Sequence, residues 1–257
     1  MAIDFYKYQG TGNDFILIDN RDLKFNKNDT KLVSQMCDRK FGIGADGLIL
    51  LEPHATVQFT MTYYNADGNL SSMCGNGGRC ITHFARFLGI IEREAKFEAV
   101  DGMHTATIEE DLVSLEMNDV SEISETETFA FLDTGSPHHV TEVENLSQYD
   151  VYNEGKKIRE EVYGSEGANV NFVEALETDK FAVRTYERGV EDETLSCGTG
   201  VTAVAIAMHK SKRTLSEEIK LLTPGGELTV KFDADESGYK NVQLIGPAVQ
   251  VFKGQWI

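Results

Sequence analysis

Short apolar runs recur along the whole chain, and only a few stretches carry a helical period. Residues 3–8 alternate weakly and predict a first strand. The turn Gly10-Thr11-Gly12-Asn13 leads into a second strand at 15–18, which ends at Asp19-Asn20. Continuous apolar residues at 48–51 predict a buried strand after a glycine-containing loop. Alternation over 57–64 predicts another, closed by the turn signal Asn65-Ala66-Asp67-Gly68. Residues 95–117 read as hairpin-like strands turning near Glu110-Asp111. Further strands are predicted at 140–143, 168–174, 181–185, 220–222, 227–232, 242–245 and 248–257, with turns at Pro224-Gly225-Gly226 and Ser237-Gly238. A short helix is predicted over 31–39, with Leu32, Val33 and Met36 on one face and Asp29 or Thr30 as its N-cap. A second runs over 75–88, with Gly89 just past its end. Its apolar residues Cys80, Ile81, Phe84, Ala85, Phe87 and Leu88 spread around most of the circumference. The stretch 201–208 (VTAVAIAM) is apolar still more uniformly. A helix apolar on all sides is a buried helix, here surrounded by strands. The acidic segment 121–128, with Ile123 as its one large apolar residue, is the predicted connection between two halves.

The two buried helices open alike. Residues 63–79 (YYNADGNLSSMCGNGGR) and 186–200 (YERGVEDETLSCGTG) each carry a tyrosine beside a polar residue and then a polar turn containing glycine. Each ends in Cys-Gly-Xaa-Gly at the start of the helix. Cys74 and Cys197 lie 123 residues apart, and the same ungapped offset takes Thr11-Gly12 to Thr134-Gly135 and Gly44-Ala45-Asp46 to Gly167-Ala168-Asn169. This is the signature of one αβ unit present twice, at a period far longer than that of a solenoid repeat. The predicted class is therefore α+β, built as two pseudo-symmetric αβ halves with equivalent cysteines.

Composition narrows the setting. With 257 residues, each half is long enough to bury its own core. A hydrophobic content of 41% with 26% charged residues fits an ordinary globular chain. The net charge of −18, from 42 acidic and 24 basic residues, argues against nucleic acid and anionic membrane surfaces as partners. The first ten residues lack the basic and apolar regions of a secretory signal, and no run approaches a membrane span. Four cysteines without a C-x-x-C pair fit thiols in a reducing cytoplasm better than a disulfide scaffold or a zinc ribbon.

Cysteine at a helix N-terminus is where chemistry enters. The macrodipole and the unpaired backbone N–H groups favour a thiolate there, and the same N–H groups suit a carboxylate. Two such thiols brought to one cleft would exchange a proton at a carbon bearing a carboxylate. One thiolate takes the α-proton from one face, and the other thiol returns a proton to the opposite face, with no redox change and no metal. A disulfide between the two thiols is a third reading, one that would inactivate such a pair. Cys37 and Cys80 read as structural thiols, His83 and His139 as structural histidines, and Arg79 as a residue that caps or pairs locally. Gly10-Thr11-Gly12 lacks the spacing of a phosphate loop.

The segments GTGNDFILID, FGIGADGL, NADG, MCGNGGRC, NVNF and YERGVEDETLSCGTG resemble those of diaminopimelate epimerases, among the cofactor-independent amino-acid racemases, over about residues 9–200. The resemblance implies a fold of two αβ halves, each a strand barrel or roll around a central helix, with the last strand returning to the first half. The halves would then be 1–120 with 248–257, and 121–247. It implies interconversion of LL- and meso-diaminopimelate without pyridoxal phosphate, in lysine and cell-wall precursor synthesis, by a cytoplasmic enzyme that is often a homodimer. Cys74 and Cys197 match the family's acid/base thiols, and Gly75, Asn76, Gly198 and Thr199 its backbone donors to the reacting carboxylate. Asn13, Asn65 and Asn169 match its substrate-binding side chains. Glu187 and Arg188 match its Glu-Arg pair at substrate and catalytic centre, Arg188 suiting a bidentate grip on a carboxylate. His138 matches a histidine that assists the thiols. Two positions depart: Ser136 stands where many members have Asn, and Gly47 where many have Gln. The departures touch distal recognition rather than proton transfer. A histidine- or proline-type racemase is the nearest alternative, and a thiol redox or amino-acid-binding protein the more remote one.

Overall fold

The computed structural model describes residues 2–71 and 73–257. The chain forms two compact units. One runs to Leu115 and resumes over Gly246–Ile257, and the other is Glu116–Ile245. The first contains β1 (Ile3–Gly10), β2 (Asn13–Asp19), α1 (Thr30–Cys37), β3 (Gly47–Glu52), β4 (Phe59–Asn65), α2 (Gly75–Phe87), β5 (Glu94–Ala99), β6 (Gly102–Glu109) and β7 (Leu112–Glu116). The second contains β8 (Ile123–Glu125), β9 (Ala130–Asp133), β10 (Pro137–Glu142), α3 (Val151–Glu161), β11 (Asn169–Glu177), β12 (Lys180–Glu187), β13 (Asp192–Thr194), α4 (Gly198–Lys210), β14 (Glu218–Thr223), β15 (Gly226–Asp235) and β16 (Gly238–Pro247). The last strand, β17 (Val249–Trp256), lies in the first unit and pairs antiparallel with β1.

Both units follow one topology. In the first, the strands neighbour one another in the order β17, β1, β2, β3, β4, β5, β6, β7. In the second the order is β8, β9, β10, β11, β12, β14, β15, β16. The pairing sense agrees at every step: two antiparallel, one parallel, one antiparallel, one parallel, two antiparallel. Each parallel step is bridged by a helix, as a parallel crossover requires. The hairpin strand β13 pairs with β12, and its counterpart beside β4 in the first unit is an isolated antiparallel bridge between Tyr64 and Leu70.

Burial follows from this arrangement. Strands β2 and β3 form a parallel pair covered on both faces, so their sequences Phe-Ile-Leu-Ile and Leu-Ile-Leu-Leu are continuous apolar runs rather than alternating ones. Ile16, Ile18, Leu48 and Leu50 pack with Val33 and Met36 of α1. Ile49 on the other face approaches Gly77 of α2. In the second unit α4 is buried from Val201 to Met208 against Val140, Val173, Phe181, Val183, Ile219, Leu221 and Val230. Each such side chain, fully withdrawn from water, contributes about 1.5–3 kcal/mol.

Several details differ from the sequence reading. Helix α2 is enclosed only up to Ala85, and Phe87 on its last turn is 51% exposed, touching Tyr6 at its edge. Helix α1 stops at Cys37, where the extended Asp38 ends it. Strand β4 starts at Phe59 rather than two residues earlier. The acidic segment 121–128 is no simple connection. It contains β8, which occupies in the second unit the place β17 holds in the first. Helix α3 has few apolar residues and a central Gly155, so its periodicity is weak. Gly155 is there because a Cβ would run into the Cβ of Tyr186 on β12. Its N-cap Asp150, which accepts from the Asn153 N–H, is the one local sign of the helix.

Candidate active site

Cys74 is the N-cap residue of α2, with extended backbone, and its sulfur accepts the Gly77 N–H at 3.2 Å. Cys197 is the N-cap residue of α4, 8% exposed, with its sulfur 3.4 Å from Thr199 Oγ1. The second glycine of each Cys-Gly-Xaa-Gly has a common purpose. A Cβ on Gly77 would lie 3.4 Å from the Cys74 sulfur, and one on Gly200 would lie 3.3 Å from the Cys197 sulfur. Each glycine thus leaves the thiol room over the first helical turn, among N–H groups that have no intrahelical acceptor.

In the first unit the thiol joins a polar chain. Cys74 Sγ lies 3.7 Å from Asn13 Oδ1, to which it can donate only when protonated, and Asn76 Nδ2 donates to the same oxygen at 3.3 Å. Asn13 Nδ2 donates to Asp46 Oδ2 at 2.6 Å, which fixes the orientation of its amide. Asp46 is held in turn by Arg39 at 2.7 Å, and Arg39 also grips both oxygens of Asp14. Lys7, itself buried, pairs with Asp14 at 2.6 Å and donates to the Gly44 carbonyl. Burial pulls the Asp14 carboxyl up, but the bonds to Arg39 and Lys7 outweigh it and hold the group at about 2. Asn65, at the exposed end of β4, pairs with Gly47 across the strands.

Gly47 shows why this chain departs from the common pattern there. A Cβ at that position would collide with the Tyr64 carbonyl oxygen and lie 2.5 Å from Cε2 of Tyr63. Tyr63 packs edge-on against Phe15 at 5.8 Å, so its ring fills the space over β3.

In the second unit His138 is wholly buried on β10. Asn171 Nδ2 lies 3.1 Å from His138 Nδ1 and also donates to the His139 carbonyl at 2.9 Å, while Asn171 Oδ1 accepts from the Thr185 hydroxyl. These bonds fix the Asn171 amide and make Nδ1 an acceptor, so the proton sits on Nε2. Asn169 Oδ1 accepts the Arg188 N–H at 2.9 Å, which leaves its Nδ2 facing His138 Nε2 at a long 3.4 Å. Burial, and secondly the Arg188 charge, push the His138 ring down to about 3, so it is neutral at neutral pH. Arg188 is exposed and donates to the Glu166 carbonyl at 2.9 Å, beside the half-buried Glu187 at the end of β12. Thr199 accepts at its carbonyl from Thr134 Oγ1 at 2.8 Å. Ser136 lies just before β10.

Two groupings therefore form, one in each unit. Asn13 and Asn76 hydrogen-bond beside the Cys74 sulfur, and Gly75 opens the same helix. Asn169 accepts the Arg188 backbone N–H and lies against His138, while Cys197, Gly198 and Thr199 form the start of α4. Asp46 and Asn171 were not singled out by sequence reasoning. The 123-residue offset pairs Asp46 with Asn169, and Asn171 follows Asn169 by two, hence on the same strand face. Those two signals would have found them. Cys37 and Cys80 are buried thiols, burial pushing Cys37 up to about 12 and Cys80 higher still. His139 stacks on Phe129 at 4.4 Å and bonds Tyr163, and His83 lies beside Tyr8.

The sequence profile of the family described as diaminopimelate epimerase matches residues 5–122 and 130–251. Among named relatives, the chain is 55% identical to the diaminopimelate epimerase of Flavobacterium psychrophilum, over 96% of this chain and 98% of that one. It is 37% identical to that of Aquifex aeolicus, over 98% and 97%. Among solved structures it is similar to a PhzF-family phenazine biosynthesis protein of Bacillus anthracis, with a TM-score of 0.81 at 12% identity over 100% and 99% of the chains. It is also similar to a probable proline racemase of Agrobacterium radiobacter, with a TM-score of 0.70 at 15% identity over 99% and 93%. At those identities the two structures speak to the fold alone.

Proposed function

The chain belongs to the diaminopimelate epimerase family, and from that membership we propose that it interconverts LL- and meso-diaminopimelate by proton transfer through Cys74 and Cys197. The observation that carries the reading is the repeated helix start, with an N-cap cysteine and a second glycine that clears space for its sulfur in both units. In the proposed reaction the thiolate of one cysteine removes the α-proton, and the carbanion's charge spreads onto the carboxylate oxygens. The N–H groups of Gly75, Asn76, Gly198 and Thr199 are the proposed donors to those oxygens. The thiol of the other cysteine then delivers its proton to the opposite face, inverting the centre and leaving the two sulfurs with exchanged protonation states. The reverse reaction begins from that exchanged state.

Other residues take roles that fit their surroundings. Asn13 is held by Asp46 and Asn76, so its amide needs little reordering to meet a substrate. Exposed Arg188 suits the distal carboxylate, and exposed Asn65 a further polar contact. His138 and Glu187 are proposed to act beside the thiols, His138 as a neutral ring with its proton on Nε2 rather than as an imidazolium. The same reading makes the enzyme a cytoplasmic homodimer, which cell fractionation and light scattering test.

The direct test follows LL-diaminopimelate in deuterated buffer with reduced enzyme and with the Cys74→Ala and Cys197→Ala variants. Formation of the meso isomer with α-deuterium, lost in both variants, is the expected result. Exchange with histidine or proline in place of diaminopimelate would move the substrate and keep the chemistry. No exchange with any of them would defeat the epimerase reading.

A further inference from the structure

Arg79 is among the largest wholly buried side chains, and its guanidinium has no carboxylate partner among the described residues. Its donors meet neutral oxygens only. Nη2 reaches Asn76 Oδ1 at 3.0 Å and Thr11 Oγ1 at 3.2 Å, Nη1 the Gly75 carbonyl at 3.4 Å, and Nε the Pro247 carbonyl at 3.5 Å. The seat is shaped for it: a Cβ on Gly10 would come within 3.2 Å of Nη2. Burial lowers the guanidinium to about 10, so it carries its charge at neutral pH. The local pairing expected from sequence holds, but it does not account for the charge.

A buried cation without an anion is costly, and one near the N-terminus of a helix also opposes the macrodipole. Both costs fall if an anion resides nearby, and the groups whose negative charge the guanidinium would feel are the Cys80 and Cys74 sulfurs. Cys80 is wholly buried and its thiol is pushed up by that burial, so it stays protonated. Cys74 remains. We infer that Arg79 is a positioning residue that supplies a standing positive charge behind the N-terminus of α2 and so holds Cys74 in its thiolate form.

The other charged groups on the strands around α2 are paired or exposed. Lys7 and Asp14 pair with one another, and Asp14 and Asp46 with Arg39. Glu52 pairs with Lys27, His104 with Asp101, and Glu109 with Arg93. Lys253 on β17 is exposed, and Tyr8 on β1, which adjoins Cys80, is pushed up by burial and stays neutral. Arg79 also bonds the side chain of Asn76, whose Nδ2 reaches Asn13. The same residue therefore steadies the polar chain that Cys74 joins.

The inference rests on Cys74 being an acid/base thiol, and its test reads ionisation without turnover. In the Cys197→Ala protein, Cys74 is the cysteine that ionises below pH 10, because Cys37 and Cys80 are raised by burial. Thiolate absorbance near 240 nm and iodoacetamide alkylation rates are followed against pH, with Arg79 intact and as Arg79→Lys, Arg79→Gln and Arg79→Met. The expected midpoint with Arg79 lies at least about one unit below the ordinary 8.5. It should rise by about a unit or more in Arg79→Gln and Arg79→Met, lowering alkylation at pH 7 about tenfold, and be recovered in part by Arg79→Lys. An unchanged midpoint in a folded Arg79→Gln protein overturns the inference. If the uncharged variants do not fold, the Cys74 midpoint is compared with that of Cys197 in the Cys74→Ala protein, an N-cap thiol with Thr202 where the first unit has Arg79. A Cys74 midpoint at or above that of Cys197 overturns the inference, and one about a unit or more below it supports it. Failure of the deuterium-exchange assay leaves this measurement readable, so the two failures are distinguishable.

Discussion

Replacing Gly200 with alanine would put a methyl group 2.5 Å from Asn171 Oδ1. That oxygen belongs to a wholly buried amide tied to Thr185, His138 and the His139 carbonyl, so it cannot swing away as a flexible chain end would. Forcing the overlap costs about 1–3 kcal/mol in a packed interior. Displacing the amide leaves at least one buried polar group without its bond, at about 1–3 kcal/mol more. The higher helix propensity of alanine returns about 1 kcal/mol. The net expectation is a loss of about 3 kcal/mol, which for a chain of this size lowers Tm by about 6–12 °C. The control is its repeat partner, Gly77→Ala. There the methyl would meet Ile49 Cδ1 at 3.1 Å and Met61 Cε at 3.2 Å, both ends of movable side chains. Relief is cheap, and the helix gain of about 1 kcal/mol offsets it, so Tm should stay within about 3 °C. Both methyls would lie against a cysteine sulfur, at 3.4 Å from Cys74 and 3.3 Å from Cys197, so both variants should slow α-proton exchange, Gly200→Ala the more. Thermal scans of the two variants beside the parent decide the matter. If Gly200→Ala is as stable as the parent, or Gly77→Ala is the weaker of the two, the clash with Asn171 is not what keeps position 200 a glycine.

Gly47→Ala should destabilise by about 2–4 kcal/mol, because a Cβ there meets both a cross-strand carbonyl and the Tyr63 ring. Adding Tyr63→Ala should recover only part, since the carbonyl clash remains; full recovery in urea unfolding would show that the ring alone excludes the side chain. Burial holds His139 down to about 4 in the folded state, below the usual histidine value. The unfolded chain therefore binds more protons between about pH 6.5 and 4. His139 contributes its stability above that window and loses it as pH falls, about 2 kcal/mol by pH 5. The fall in urea midpoint from pH 7 to pH 5 should be visibly smaller in His139→Gln, and an equal fall in both proteins would assign the acid sensitivity elsewhere.

Read alone, the sequence determines the elements whose signal is local. The apolar runs at 15–18 and 48–51 announce β2 and β3 because both faces of a parallel pair are covered, and 201–208 announces a helix with no wet side. The repeat of Cys-Gly-Xaa-Gly at one offset singles out Cys74 and Cys197, since a helix start is a short-range feature written in adjacent residues. What only tertiary structure decided is what depends on partners distant along the chain. Helix α3 exists although Gly155 weakens it, because the close approach of Tyr186 takes precedence over propensity. Residues 121–128 contribute a strand because β9 offers it an edge, not because their composition favours one. Gly47 is explained by the Tyr64 carbonyl and the Tyr63 ring, and Arg79 by a seat assembled from Gly10, Thr11, Asn76 and Pro247. Whether a buried charge has a counter-ion is a property of the whole neighbourhood, which no window of sequence contains.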